Sequence, residues 1–319
     1  MRDFPISAVP PPAPLPESET VDPRDVARMW REGEFELLCV LGPTASGKTH
    51  YAVNLAMELR SMGVAVEIIS ADSRQIYRGM TIGTGKDLAE YGDVPYHLID
   101  IVDAGTRYDL FSYQRDFNAV YDNIVSRGAL PLLCGGTGLY IDAVTRGYAL
   151  AEVAPDHDAR EELEALGHEE LRSMLLSLDP EASASTLESK RRTIRAIEVA
   201  RHGDAGRIEA KGRKTFFIGT LVTREERNAR IDARLDARLE EGMIEEVRSL
   251  IESGLHPDDL IYYGLEYKFV TLFVTGGIGF EEMRERLAVA IHQFAKRQMT
   301  YFRGMERRGT RIHWVKMPS

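Results

Sequence analysis

The sequence predicts an α/β fold: a P-loop-type parallel sheet flanked by helices, with a smaller helical insertion. Three observations carry this expectation. Short apolar runs alternate with helical patterns over residues 36–150 and resume after 211, the pattern of parallel strands connected through helices. Residues 151–210, by contrast, lack clear strands. The stretch Gly42-Pro43-Thr44-Ala45-Ser46-Gly47-Lys48-Thr49 follows the apolar run Leu37–Leu41 and precedes a helical pattern from Tyr51 to Leu59. A G-x-x-x-x-G-K-[ST] phosphate loop therefore stands in the strand–loop–helix setting that gives the motif meaning.

Composition narrows the class. At 319 residues, 44% hydrophobic and 28% charged, the chain can bury a core without disulfides or a structural metal. Cys39 and Cys134 fall in strand-like apolar runs. They read as small buried hydrophobes in a reducing compartment and are too few for a zinc finger. No run approaches the ~18 apolar residues of a membrane span. Met1–Pro5 lacks the apolar segment of a secretory signal, so a cytoplasmic protein is expected; the expected oligomeric state is a monomer. The net charge of −10 argues against indiscriminate nucleic-acid binding, but it hides an asymmetry. Residues 151–188 carry eleven Asp/Glu against Arg160 and Arg172, whereas 186–234 carry thirteen Lys/Arg against seven Asp/Glu. A solvated helix face explains either stretch alone; a basic stretch in an acidic protein points to a focused anionic partner.

Residues 1–35 hold seven of the fourteen prolines. Prolines fix φ and remove donors, so this stretch reads as an extended, mobile leader with one short helix over Asp25–Arg31. Strands are expected at Glu36–Leu41, Val64–Ser70, His97–Val102 and Leu130–Cys134, and helices over Lys48–Ser61, Phe111–Arg127 and Thr137–Arg146. Ligands of such sheets bind beyond the carboxyl ends of the strands, so the segments after each strand carry the argument. The glycine-rich loop and helix N-terminus at Gly42–Thr49 suit an anion; Lys48 supplies a point charge and Thr49 a hydroxyl for Mg²⁺. After the second strand come Asp72, Ser73, Arg74 and Gln75. Asp72 lands beside the phosphate loop if the two strands are neighbours; alternatively it forms an Asx turn or helix cap. The Gln75 amide has the geometry to pair with an adenine edge. Gly83, Gly85 and Lys86 put two glycines and a lysine in a loop able to approach another phosphate. His97 is as readily a packed residue as a functional one. The fourth strand ends in Cys134-Gly135-Gly136, where a phosphate-hydrolysing motor carries an acidic Mg²⁺ ligand. That absence counts against an ATPase, and Thr137 offers a neutral hydroxyl instead.

Further on, Arg160–Leu166 and His168–Leu178 suggest an acidic helical pair and Glu188–His202 another helix. On the latter Arg192 and Arg195 share a face, with Arg191 beside them; solvated arginines are an equal alternative. Lys214–Leu221 reads as a strand. Arg224–Ser253 reads as one long amphipathic helix or two, with Arg224, Arg227, Arg230 and Arg234 running down it and Arg224 just past the strand end. A helix over Glu281–Arg303 contains Lys296-Arg297-Gln298, and a final strand spans Arg311–Val315.

Taken in order, Gly42–Thr49, Ser70–Tyr77, Ile82-Gly83-Thr84-Gly85-Lys86, Pro95–Ile101, Gly135–Ile141, Arg192-x-x-Arg195-Ala196-Ile197-Glu198, Arg230-Ile231-x-x-Arg234 and Ala295-Lys296-Arg297-Gln298-x-Thr300-x-Phe302 resemble the tRNA dimethylallyltransferases, also called tRNA isopentenyltransferases. The resemblance covers residues 36–316. It implies transfer of a dimethylallyl group from dimethylallyl diphosphate to N6 of adenosine 37 in the tRNA anticodon stem-loop, with the base taken out of its stack. The phosphate loop then holds a leaving diphosphate, which accounts for the missing acidic residue on the fourth strand. By the same resemblance Asp72 is the general base, and Gly42 with Thr44, Ala45, Ser46, Gly47, Lys48 and Thr49 binds the donor. Lys48 and Arg224 neutralise the diphosphate with Mg²⁺ near Thr49, and Thr137 lies near the tRNA. Ser73, Arg74 and Gln75 form one tRNA-contacting run, and Arg191, Arg192 and Arg195, in a helical tRNA-binding insertion over 151–210, form a second.

The chain departs from the family pattern in three places. It has Gly85-Lys86-Asp87 where many members have an alanine and Lys-Pro. It has Ser189 where many have Asp, and Gly264-Leu265-Glu266-Tyr267-Lys268 where many have Gly-Tyr-Lys-Glu. Three other readings remain: an adenylate isopentenyltransferase acting on AMP, a P-loop small-molecule kinase using an ATP-binding motif, and a non-enzymatic RNA-binding module. The basic helices disfavour the first and the intact Lys48, Thr49 and Asp72 the last.

Overall fold

Leu37–Leu41 is buried at every residue, as a strand covered on both faces must be. It is strand β1 of the computed structural model, which describes residues 14–148, 150–151, 153, 157–202, 207–208 and 211–318. Before it, helix α1 (Pro23–Arg31) starts with proline in its first turn and is capped by the Asp22 side chain. Its Val26 and Ala27 are buried in one of the two main hydrophobic clusters. Residues 1–13 of the expected leader lie outside the described residues. From 14 onward the leader is held against the core rather than extended away from it. Glu19 N–H donates to the Trp314 carbonyl at 2.6 Å and Arg303 donates to the Pro14 carbonyl at 2.6 Å.

After β1 the chain forms α2 (Lys48–Ser61), β2 (Val66–Ser70), β3 (Tyr77–Arg78), β4 (Tyr96–His97), β5 (Val102–Asp103), α3 (Leu110–Ser126), β6 (Leu130–Gly135) and α4 (Gly138–Arg146). The single strand expected at His97–Val102 is divided between β4 and β5. Leu98 and Asp100 take left-handed φ values of 60° and 54°, which no strand accommodates. β5 then pairs with β3 in a separate ribbon. His97 caps the sheet edge, its ring 2.7 Å from Glu67, which is the packing reading.

The insertion starts at β7 (Leu150–Ala151), returns at β8 (Arg207–Ile208), and holds α5 (His157–Ala165), α6 (His168–Leu178), α7 (Ala184–Leu187) and α8 (Lys190–His202). It owns a small core of Leu163, Leu171, Leu175, Ile194 and Ile197. The chain then adds β9 (Thr215–Leu221), α9 (Arg224–Glu240), α10 (Met243–Glu252), α11 (Pro257–Tyr262), α12 (Leu265–Val274), α13 (Phe280–Arg307) and β10 (Ile312–Lys316). Of the two alternatives for 224–253, two helices form: Gly242, at φ 103°, ends one and caps the next.

The main sheet is parallel with order β10-β9-β1-β6-β2-β4. One face packs on α1 and α2 and the other on α3, α4 and the carboxyl-terminal helices. No described helix is long and apolar enough to cross a membrane.

Candidate active site

The carboxyl ends of β1, β2 and β6 open on one cavity of about 420 Å³. The phosphate loop forms its floor. Ala45 and Gly47 wind through left-handed φ values of 59° and 78°, turning the chain into the N-terminus of α2. Thr44, Ala45, Gly47, Lys48 and Thr49 line the cavity, whereas Gly42 and Ser46 do not. Ser46 is fully buried and its hydroxyl meets the Thr220 hydroxyl at 2.7 Å, anchoring the loop to β9 from below. The loop's other anchor is Gln298 of α13. Its Oε1 accepts the Thr44 N–H at 2.8 Å and its Nε2 donates to the Gly136 carbonyl at 2.8 Å.

Asp72 lines the same cavity as the loop, though not for the reason expected from sequence. β1 and β2 are not neighbours; β6 runs between them. Asp72 reaches the same space because β6 ends in Cys134 and Gly135, whose small side chains leave the gap open. A Cβ on Gly135 would collide with the Ala71 backbone. The Asp72 loop is closely tied. Asp72 Oδ1 accepts the Arg74 N–H at 2.9 Å, an Asx turn, and the Ser73 N–H donates to Thr137 Oγ1 at 3.1 Å. The turn and the exposure to the cavity coexist, so the two readings of Asp72 are not exclusive.

The cavity roof comes from α9. Arg230, Arg234 and Arg238 recur every four residues and line it, with Arg224 absent from the lining. Arg224 is exposed at the first residue of α9, too early on the helix to share their position. Arg230 donates to the Pro318 carbonyl at 2.6 Å, and Arg234 pairs with Asp87 at 3.2 Å. Arg238 Nη2 is buried without a hydrogen-bond partner. Gly85 admits both guanidinium groups, since a Cβ there would collide with the Nη2 atoms of Arg234 and Arg238. Lys48, Arg230, Arg234 and Arg238 thus share the cavity with the carboxylates Asp72, Asp87, Glu90 and Glu241. Burial holds the Lys48 ammonium below the ordinary lysine value; Asp72 opposes that shift, and Arg234 and Arg238 add to it. Arg238 is lowered by burial and by Arg234, against Glu266 and Asp87. Burial pushes the Cys134 thiol up to about 12, so it stays neutral. An anion beside the loop would satisfy Arg238 and offset the mutual repulsion of Lys48, Arg234 and Arg238.

Of the other expected residues, Gln75 and Gly85 line the cavity, while Ser73, Arg74, Lys86, Thr137, Arg191, Arg192 and Arg195 lie apart from its lining. Thr137 holds the Asp72 loop. Arg74 reaches the Tyr262 carbonyl at 3.3 Å. Gln75 lines the cavity, but its amide already donates to the Gly85 carbonyl at 3.3 Å and its Oε1 accepts from Ser70. Lys86 is turned away from any phosphate. Its buried ammonium pairs with Asp100 at 2.5 Å and with the Tyr77 carbonyl. Arg191 and Arg192 are exposed on α8, while Arg195 bonds Glu198 at 3.0 Å and the Val153 carbonyl at 2.9 Å. Sequence reasoning overlooked Arg238 and Glu246, and quoted Gln298 within a motif without giving it a role. Glu246 accepts the N–H groups of Thr81, Ile82 and Gly83 at 2.8–3.0 Å and the Tyr267 hydroxyl at 2.5 Å, and so shapes the loop that carries Gly85. Arg238 continues the Arg230, Arg234 spacing by one turn, a signal the sequence did contain.

Comparison with known proteins agrees over most of the chain. Residues 75–305 match the family model described as IPP transferase. The chain is 50% identical over 288 residues to tRNA dimethylallyltransferase 1 of Parabacteroides distasonis, covering 88% of this chain and 92% of that protein. It is 52% identical over 286 residues to tRNA dimethylallyltransferase 1 of Porphyromonas gingivalis, covering 88% and 93%. Among solved structures it resembles the full-length tRNA isopentenylpyrophosphate transferase of Bacillus halodurans, with 35% identity, TM-score 0.64, and 88% and 89% of the two chains covered. A eukaryotic dimethylallyltransferase acting on tRNA shares the fold at 22% identity and TM-score 0.70, covering 88% and 73%.

Proposed function

The chain belongs to the IPP transferase family, enzymes that transfer a dimethylallyl group to tRNA, and we propose that its donor is dimethylallyl diphosphate and its acceptor N6 of adenosine 37 in the anticodon stem-loop. One observation carries this reading: Lys48, Arg234 and Arg238 converge on a single cavity with the phosphate loop, and the Asp72 carboxylate lines the same cavity. That arrangement suits a reaction in which negative charge grows on a leaving diphosphate while a proton departs to a carboxylate in the same cavity.

In the proposed reaction the N6 lone pair forms a bond to C1 of the dimethylallyl group as the C1–O bond to diphosphate breaks. Electrons leave with the diphosphate oxygen, whose charge is met by Lys48, Arg234, Arg238 and the loop amides. The N6 proton passes to Asp72. It is acidic only while the C–N bond forms, so a carboxylate suffices once held in contact. The Arg74 N–H and the Thr137–Ser73 bond hold that carboxylate's loop in place.

Magnesium fits this donor set. Among the described residues no group of three or more His, Cys, Asp or Glu is placed to hold a metal. Thr49 offers a hard hydroxyl oxygen beside the donor space, and Mg²⁺ commonly rests on one or two protein oxygens, water and substrate phosphates. Thr49 would hold it with the diphosphate, and its charge would further favour the departing anion. A neutral Cys134 and the absence of an acidic residue at the end of β6 fit a loop that grips a leaving group and hydrolyses no nucleotide. We place the reaction in the cytoplasm.

The test is incubation with Mg²⁺, labelled dimethylallyl diphosphate and either unmodified tRNA or AMP. Label in tRNA at N6 of adenosine 37 is expected. Label in AMP alone establishes an adenylate isopentenyltransferase, and label in neither removes both transferase readings. Asp72→Ala is expected to keep tRNA affinity within about twofold while turnover falls roughly 100-fold or more; turnover at the wild-type rate would take Asp72 out of the mechanism.

A further inference from the structure

Along α13, Ile291, Ala295, Met299, Phe302 and Met305 form a buried apolar stripe. Gln298 is the polar exception within it, 8% exposed. A buried amide is costly unless bonded, and both ends of this one are bonded, to two segments far apart in sequence. Its Oε1 takes the Thr44 N–H of the phosphate loop and its Nε2 takes the Gly136 carbonyl. Gly136 permits the approach, since a Cβ there would press on Nε2.

From Gly136 the connection continues toward the base. Thr137 N–H donates to the Ala71 carbonyl at 3.1 Å, and Thr137 Oγ1 accepts the Ser73 N–H, on either side of Asp72. One turn further along α13, Tyr301 packs on Gly138 and its hydroxyl bonds Asp142 of α4 at 2.9 Å. The helix thus fixes the β6–α4 turn that carries the Asp72 loop, and through the same glutamine it fixes the phosphate loop.

Resting on the proposed function, we infer that Gln298 is a positioning residue that sets the donor loop against the Asp72 loop, through the connected bonds Thr44–Gln298–Gly136 and Thr137–Ser73. It touches neither substrate. It fixes the separation of the two halves of the site, so its loss should lower the rate of the bound complex more than the affinity for either substrate alone.

Two variants test this. Gln298→Met keeps the volume and removes both bonds. Gln298→Glu keeps an acceptor for the Thr44 N–H and sets an oxygen against the Gly136 carbonyl. In both, kcat is expected to fall about 100-fold, the scale of a small misplacement of reacting groups. The separately measured Kd values for inorganic pyrophosphate and for tRNA should stay within about threefold. Hydrogen exchange of the free protein should quicken together at residues 42–49 and 135–138. A kcat within about threefold of wild type would overturn the inference, as would a turnover loss matched by an equal loss of either affinity. Faster exchange in only one segment would overturn it too. If Gln298→Met does not fold, Gln298→Glu decides the kinetic arm. The exchange arm needs no substrate, so it tests the coupling even if the wild-type protein transfers no dimethylallyl group, a result that would strike the proposed function alone.

Discussion

Arg234 and Arg238 stand one turn apart on α9 and face the phosphate loop, while Arg224, on the same helix, stays outside the cavity. The residue scale therefore carries a discriminating prediction. Charge-assisted hydrogen bonds contribute about 1.5–3 kcal/mol, so Arg234→Ala and Arg238→Ala should each raise the donor KM roughly 10–100-fold. Arg224→Ala should leave it within about twofold, since exposed charges away from a ligand act weakly. Donor titration by initial rates checks all three, and a large effect at Arg224 would return the diphosphate to the sequence expectation. Lys48, Thr49 and Asp72 were legible because each lies at a fixed offset from a strand end. Which arginines face the anion depends on the rotation of α9 about its axis, and that is settled by packing: Ile231 and Leu235 are buried, which leaves Arg234 and Arg238 to line the cavity.

At the scale of elements the insertion is tied together by Glu198. Arg160 bonds it through two nitrogens at 2.7 and 2.8 Å and Arg195 through one at 3.0 Å. Burial alone would raise the Glu198 carboxyl, but the hydrogen bonds from Arg160 and Arg195 outweigh it and hold the carboxyl below the ordinary glutamate value. A depressed folded value means the contribution is complete above the unfolded value and is lost as pH falls through the folded one. Glu198→Gln should therefore destabilise the insertion by about 1–2 kcal/mol near neutrality, both arginines being about one-third exposed. The difference from wild type should shrink toward zero in acid. Limited proteolysis within 157–202 at two pH values reads this out, and an equal difference at both would refute it. Helix α8 was legible from its apolar spacing, but the tethering of Arg195 was not. The arginine pattern alone cannot distinguish a tRNA-facing side chain from one bound to a carboxylate on its own helix. The division of His97–Val102 was equally hidden, because the turn needs a left-handed φ at Leu98, a residue that rarely adopts one, as well as at Asp100.

The whole molecule depends on segments far from the cavity. Phe35 is 3% exposed and packs on Trp30 and Phe216, joining the end of the leader to α1 and β9. Phe35→Ala should cost roughly 3–5 kcal/mol, read as a fall in Tm, while the Kd for pyrophosphate of the folded variant stays unchanged. A variant as stable as wild type would show that Phe35 does not contribute to the stability of the core. By itself the sequence determined the alternation of strands and helices, the phosphate loop, the acidic residue after β2 and the family, because each is a local pattern of residue types at short spacing. Only the tertiary structure decided that β6 lies between β1 and β2, that Cys134 and Gly135 leave the gap through which Asp72 meets the loop, that Arg238 faces the cavity and Lys86 does not, and that Gln298 bridges the two halves. Those facts depend on strand order, on helix rotation and on bonds between residues more than a hundred positions apart, and nothing in a local stretch of sequence records which distant partner satisfies a buried polar group.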